Sequence, residues 1–466
     1  MLNKLEDNLN FGGFDKKSIS HAEYFKKLPC SRWLLKDILI NNLETLLHFN
    51  ARDKKEDKSE QLVFEIFQQT IENNETIKLP RTGNFIGFFA IKNVNIEITS
   101  RFSDVLLKRM LDVANNVFIQ DATFNANPTN TKSGLVKYIL GHLFIQKLEK
   151  AFILGFPKAY KKVEYHEAKI HGNIDFNHFI KFDNPFKGKI SSVTREQLFV
   201  PEIANIIYGT IEFLEKEFSK DITGRLGSIR SFLKQQQTGK LVDTFFIDKA
   251  LNHKSLENPI YASYKEVLRY SKLLLKLQDL DPNNSKSQAQ HSAYLIDISE
   301  LWELYLSNLL TNGLSETDWR VETQYPVIVY DKPIFYNREI RPDIVLFNNR
   351  TNEVAVFEAK YKRMNMKTGG GDGNYGDLDR SDFFQIHTYM SYFNKNKNLV
   401  AGGLLYPLNT KLIKEKTYAE SWLGGEGKFV VDGIDLSEFE NNTNDNIDEL
   451  VKKENDFIKR MIEILK

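Results

Sequence analysis

With 466 residues, 41% of them hydrophobic and 27% charged, the chain has the make-up of a globular protein of two or three domains, not of one small module. No stretch approaches the roughly 20 apolar residues that span a bilayer, and residues 1–13, MLNKLEDNLNFGG, lack the apolar core of a signal peptide, so a cytoplasmic protein with no membrane partner is expected. The single cysteine, Cys30, excludes an internal disulfide and a cysteine-based metal site, and a net charge of +1 means that any contact with nucleic acid is local or shared with a partner.

Residues 1–76 read as mixed and mostly helical, with an apolar stripe over 31–40 and a charged loop at 52–58. After Pro80 the pattern turns to period two. Residues 85–91, FIGFFAI, and 94–98, VNIEI, separated by Lys92 and Asn93, predict a hairpin, and 104–114 predicts a helix with its leucines on one face. Residues 121–133 read as a linker or exposed loop. From 134 to 278 the chain reads as largely helical, with clear periodicity over 136–156, 202–218 and 264–277. His171 and His178 lie in this region without an HExxH spacing or a carboxylate pair in register, and read as ordinary strand and turn histidines. Residues 279–292, DLDPNNSKSQAQHS, form the clearest linker. The expected layout is a mixed α/β domain over 1–133, a mainly helical region over 134–285 and an α/β domain over 286–466.

The chemistry concentrates in 341–363, RPDIVLFNNRTNEVAVFEAKYKR. Its runs 344–347 and 354–357 are short, β-branched and aromatic, and the NNRTN between them is turn-forming, so the segment predicts a hairpin. Glu358 and Lys360, two apart, face one side of the sheet, and Asp343 lies across from them. Two carboxylates plus a main-chain carbonyl, that of Ala359, suit a hard cation such as magnesium, with manganese as a substitute. A lysine beside the cation can orient or deprotonate a bound water and stabilise charge on an attacked phosphate. The spelling alone also permits a surface hairpin with a salt bridge.

Pro342 and Asp343 followed by Glu358, Ala359 and Lys360 resemble the PD-(D/E)XK nuclease motif. An apolar-periodic stretch over 295–310 carries Glu303, resembling the helical glutamate that completes the metal site in many nucleases of this class. Residues 382–393 set Gln385 and Tyr389 i,i+4 on one helical face, resembling the QxxxY element. The resemblance implies Asp343, Glu358, Lys360, Glu303 and Gln385 as the catalytic group. Within it, Asp343, Glu358, Glu303 and Ala359 hold the metal, and Lys362, Arg363 and Tyr389 meet double-stranded DNA. The glycine run 369–376 lacks the lysine of a phosphate-binding loop and reads as a mobile loop beside the site.

The hairpin that leads through Arg101 and Phe102 into Leu106, together with 171–181, Arg195, Glu196 and Asn205, resembles the McrC family. These are the nuclease subunits of McrBC-type, LlaJI-like restriction systems. The likeness covers about residues 80–466 and implies a multi-domain α/β protein with a C-terminal restriction-endonuclease-like domain. It further implies docking through the N-terminal domain on a hexameric McrB-like AAA+ GTPase that itself binds the GTP; Arg101 is the candidate contact there, with a plain structural role as the alternative reading. Two other readings stand beside it: a self-sufficient defence or repair nuclease, and a non-catalytic scaffold that activates an AAA+ motor.

Overall fold

The structure, a computed structural model, describes residues 2–9, 29–41, 46–47, 60–70, 76–91, 94–114, 132–218, 223–239, 244–278, 294–328, 339–362, 364, 378–409, 417–425, 427–439 and 446–466. Both expected linkers and the glycine run lie wholly or almost wholly outside these residues. The chain divides into two compact units, one made of Met1–Thr123 with Ala289–Lys466 and the other of Phe124–Gln288. The middle of the chain is therefore an insertion into a unit built from both ends.

The N-terminal part of the first unit is mostly strand, which corrects the helical expectation for 1–76. A five-stranded sheet runs in the order β1 (Leu2–Glu6), β7 (Val94–Thr99), β6 (Phe85–Ile91), β11 (Tyr294–Asp297), β3 (Leu46–Leu47). A three-stranded sheet joins β2 (Ser31–Leu34), β4 (Leu62–Thr70) and β5 (Thr76–Thr82). The stripe over 31–40 splits into β2 and a short helix α1 (Leu35–Asn41), because the Asp37 carboxylate accepts the Leu34 N–H at 2.9 Å and fixes the switch. Phe64, Ile66, Phe85, Phe89, Ile96 and Ile98 form the core of this part. The predicted hairpin and the helix α2 (Asp104–Ala114) stand as expected.

β11 is a second correction, since residues 295–297 were expected to open a helix. Leu295 and Ile296 are buried in the sheet beside β6, and the Asp297 side chain accepts N–H bonds from Ser299 and Glu300 at 3.0 and 3.4 Å, so the helix α8 (Ile298–Gly313) starts after it.

The C-terminal sheet has six strands in the order β12 (Trp319–Thr323), β15 (Ile344–Asn348), β16 (Glu353–Ala359), β17 (Asn398–Leu408), β19 (Lys428–Asp435), β18 (Tyr418–Ala419). β12, β15 and β16 pair antiparallel, while β16, β17 and β19 run parallel, and β13 (Val327–Ile328) and β14 (Glu339–Ile340) form a separate antiparallel pair. A parallel step needs a crossover, and the helix α9 (Arg380–Asn396) lies in the chain between β16 and β17. Ile344, Val345, Leu346 and Phe347 are all buried, so both faces of the sheet are covered. Val345, Phe347, Val354 and Val356 share one core with Ile386, Met390 and Phe393 of α9. The close fit depends on Gly402, where a Cβ would lie 2.5 Å from Met390 Cγ. Elsewhere in the unit, Arg109 of α2 makes a buried two-bond pair at 2.9 and 2.8 Å with Glu454 of the helix α10 (Ile447–Ile464), and Tyr305 of α8 donates to the same carboxylate.

The second unit holds the helices α3 (Lys132–Ile153), α4 (Pro201–Phe218), α5 (Gly227–Gln236), α6 (Thr244–Leu251) and α7 (Tyr264–Gln278). It also contains a three-stranded sheet of β8 (Lys158–Glu167), β10 (Ile190–Phe199) and β9 (Asn173–Ile174), so it is mixed and not simply helical. β8 alternates between exposed and half-buried residues, which leaves little apolar contrast to read. The histidines here make ordinary bonds: His178 Nδ1 lies 2.6 Å from Ser191 Oγ, and the His171 N–H donates to Ser192 Oγ at 2.9 Å. Among the described residues no helix is long and apolar enough to cross a membrane.

Candidate functional site

The period of two along β16 decides where its charges go. Val354 and Val356 point into the core beneath α9, so Glu358 and Lys360 emerge on that same face at the end of the strand. On α9, Asp382, Gln385 and Tyr389 stand at i, i+3 and i+7 and so share the side that meets them. Asp343 precedes β15, and the register Ile344 to Phe357 sets it beside Glu358. The Asp343 N–H donates to Glu358 Oε2 at 3.3 Å, and the Ala359 N–H donates to Asp343 Oδ2 at 3.0 Å.

Lys360 Nζ donates to Glu358 Oε1 at 3.1 Å and to Gln385 Oε1 at 2.9 Å, with Asp382 Oδ1 at 3.6 Å. Gln385 Nε2 in turn donates to Glu358 Oε1 at 2.7 Å and to the Tyr389 hydroxyl at 3.0 Å. Asp343, Glu358, Lys360 and Gln385, expected as catalytic residues, are thus brought into one hydrogen-bonded group.

Burial, then the neighbouring Glu358 and Glu303 carboxylates, hold the Asp343 carboxyl well above the usual range, against the opposing pull of Lys360. Burial likewise raises Glu358, opposed by Lys360. Burial works to lower the Lys360 ammonium, but Glu358, Asp382 and Asp343 outweigh it and the net shift is upward. Lys360 is therefore held as a cation.

Other predicted residues fall differently. Glu303 stands near Asp343 and is one of the carboxylates that raise it. It is linked to Asp343 through Gln324, whose amide donates to Glu303 Oε1 and to Asp343 Oδ1, both at 2.8 Å. Among the described residues no group of three or more His, Cys, Asp or Glu side chains is arranged to hold a metal ion. Tyr389, expected to meet DNA, is only 6% exposed and acts as a rest for Gln385. Lys362 is 41% exposed and pairs with Asp382 at 2.7 Å and Asp379 at 3.4 Å. Arg363 lies outside the described residues.

Arg101, expected at a partner interface, is 2% exposed. Its N–H donates to Asp7 Oδ1 at 2.6 Å and its guanidinium lies 4.4 Å from the centre of the Tyr361 ring, so it braces the segment that follows Lys360 and presents no side chain outward.

Sequence reasoning missed Gln324, Asp382 and Tyr361. Gln324 sits at φ +52°, and its N–H donates to the Asp343 carbonyl at 3.0 Å. Nothing in its own sequence surroundings announces that turn. Asp382 could have been found from its spacing to Gln385.

The fold and the cluster together describe a multi-domain α/β protein with a buried carboxylate, lysine and glutamine group at a strand end. A family profile described as the McrBC 5-methylcytosine restriction system component matches residues 80–407, and the chain belongs to that family. Among solved structures, a half-complex of tetradecameric Thermococcus gammatolerans McrB AAA+ hexamers with bound McrC is similar at 16% identity and TM-score 0.45, over 100% of both chains. The Thermococcus gammatolerans McrBC complex is similar at 17% identity and TM-score 0.30, over 68% of this chain and 89% of that one. No curated protein matches.

Proposed function

We propose that the chain is the nuclease subunit of a cytoplasmic, GTP-driven restriction complex. It is a magnesium-dependent DNA endonuclease with a C-terminal PD-(D/E)XK domain, and it works docked on a McrB-like AAA+ GTPase hexamer that binds the GTP. The convergence of Asp343, Glu358, Lys360 and Gln385 carries this reading. Family membership supports the restriction role and the partner.

The residues present fit a hard divalent cation. Asp343 and Glu358 offer adjoining carboxylates, and burial makes two negative charges there costly without a counter-ion. The Ala359 carbonyl is the third ligand assigned, and Glu303 reaches the group through Gln324. When bound, magnesium supplies a Lewis acid and an acidified water. Lys360 is held as a cation against the two carboxylates, so its part is to stabilise the charge that builds on the attacked phosphate. Gln385 fixes Lys360 and Glu358 relative to each other, and Tyr389 fixes Gln385. Docking is assigned to the N-terminal residues 1–133, on surfaces other than the buried Arg101.

Asp343→Ala tests the assignment in the assembled complex. DNA cleavage should be lost while the melting curve stays cooperative and stimulation of the partner's GTPase persists. An unchanged cleavage rate would sink the metal site.

A further inference from the structure

The first unit contains a groove of about 1190 Å³, larger than the roughly 300–1,000 Å³ typical of small-molecule pockets. Arg81 and Asn84, on and beside the N-terminal strands, line it together with Lys362, Asp379, Arg380 and Phe383. Lys362 is two residues past Lys360 and pairs with Asp382, which itself lies 3.6 Å from Lys360 Nζ, so one wall of the groove is one ion pair away from the catalytic group. Asn8 Nδ2 donates to the Tyr361 carbonyl at 3.1 Å and fastens the N-terminal strands at this place.

The charges fit a polyanion. Among the described lining residues the cations are Arg81, Lys362 and Arg380 and the one carboxylate is Asp379, already engaged by the Ser381 N–H at 2.9 Å and by Lys362. Arg81 is 43% exposed with Glu65 at 3.5 Å. Arg380 is exposed, lies 5.6 Å from the Phe384 ring centre, and has no carboxylate pair among the described residues. Guanidinium groups beside exposed aromatic rings are what a nucleic-acid strand meets in binding channels.

We propose that this groove is the track of the DNA strand leading to the scissile bond, with Arg81 from the N-terminal strands and Arg380 from α9 holding its phosphates. The inference rests on the nuclease reading and adds a binding surface to it. The N-terminal strands thereby become part of the substrate site.

Labelled duplex DNA titrated into the full chain in EDTA, over a series of salt concentrations, tests it without cleavage. The Arg81→Gln, Arg380→Gln double variant should bind more weakly to every sequence, and its slope of log affinity against log salt should be shallower by about two, one for each lost phosphate contact. Its melting temperature should match the wild type. A charge-matched Lys395→Gln, Lys459→Gln double variant, at residues that do not line the groove, should keep the wild-type affinity and slope. Wild-type affinity and slope in the groove variant, an equal loss in the control, or no binding by the wild-type chain with or without its partner would overturn the proposal. Cleavage by the assembled complex is read separately. Loss of cleavage in Asp343→Ala alongside unchanged binding in the groove variant removes the groove and leaves the nuclease, whereas groove-dependent binding with no wild-type cleavage removes the nuclease.

Discussion

Asp343 carries the main tension of the site, because burial and two neighbouring carboxylates push its pKa upward. A group whose folded pKa exceeds its unfolded value contributes stability that is full below the unfolded pKa and is lost as pH rises through the folded one. In EDTA the chain should therefore lose stability from this site as pH rises from about 4 toward neutrality. Asp343→Asn, which cannot ionise, should melt at a higher temperature than the wild type near pH 8, and the gain should shrink toward about pH 5. A gain that does not change with pH would mean that packing, not charge, is responsible. Lys360 makes the complementary case. Held as a cation between Glu358 and Gln385, it should be replaceable by Met without loss of partner docking, yet cleavage should fall by roughly a hundredfold or more. If docking and cleavage fall together, the change has damaged the fold. These residues were legible because the motif lies on a strand whose alternation fixes facing. Gln324 was not, since it joins the group through a left-handed backbone turn and long-range bonds to Glu303 and Asp343.

Three helices, α2, α8 and α10, meet at one buried polar point. Arg109 pairs with Glu454 through two bonds at 2.9 and 2.8 Å, and Tyr305 donates to Glu454 at 2.8 Å. Glu454→Ala would leave the guanidinium buried and unpaired, so unfolding should become easier by about 3–5 kcal/mol. Replacing both partners, Arg109→Met with Glu454→Leu, should recover most of that loss. Chemical denaturation measures both, and a double variant as unstable as the single one would rule out an unpaired charge as the cause. The helices themselves were readable from apolar periodicity, as was the β15 to β16 hairpin, because each buries one defined face. β4 and β11 were misread and β8 went unseen. Strands such as β11 gain their stability from partners distant in sequence, here Ile86 and Gly87 of β6, and a local window contains none of that pairing.

The first unit is built from both ends of the chain, and this changes how its parts can be separated. Besides β11, the Ser103 N–H donates to the Phe439 carbonyl at 2.8 Å, and Arg101 packs on Tyr361. A cut at Ser133, the boundary expected from sequence, thus removes part of a shared core. The same arrangement bears on how the molecule is controlled. A net charge of +1 gives the chain no overall basic surplus, so DNA contact rests on local cations, and productive engagement should depend on a partner that adds affinity and ties it to nucleotide. Mixing the chain with a McrB-like AAA+ GTPase, DNA, magnesium and GTP should give cleavage that stops when GTP is omitted, while the chain with magnesium alone should cut little. Lys360→Met in the same mixture should stimulate GTP hydrolysis as the wild type does and leave the DNA intact. Cleavage at full rate with neither nucleotide nor partner would replace the restriction subunit with a free-standing nuclease. Stimulation of the GTPase by a wild-type chain that never cuts would instead make it a scaffold, with the Asp343 and Glu358 cluster serving structure alone.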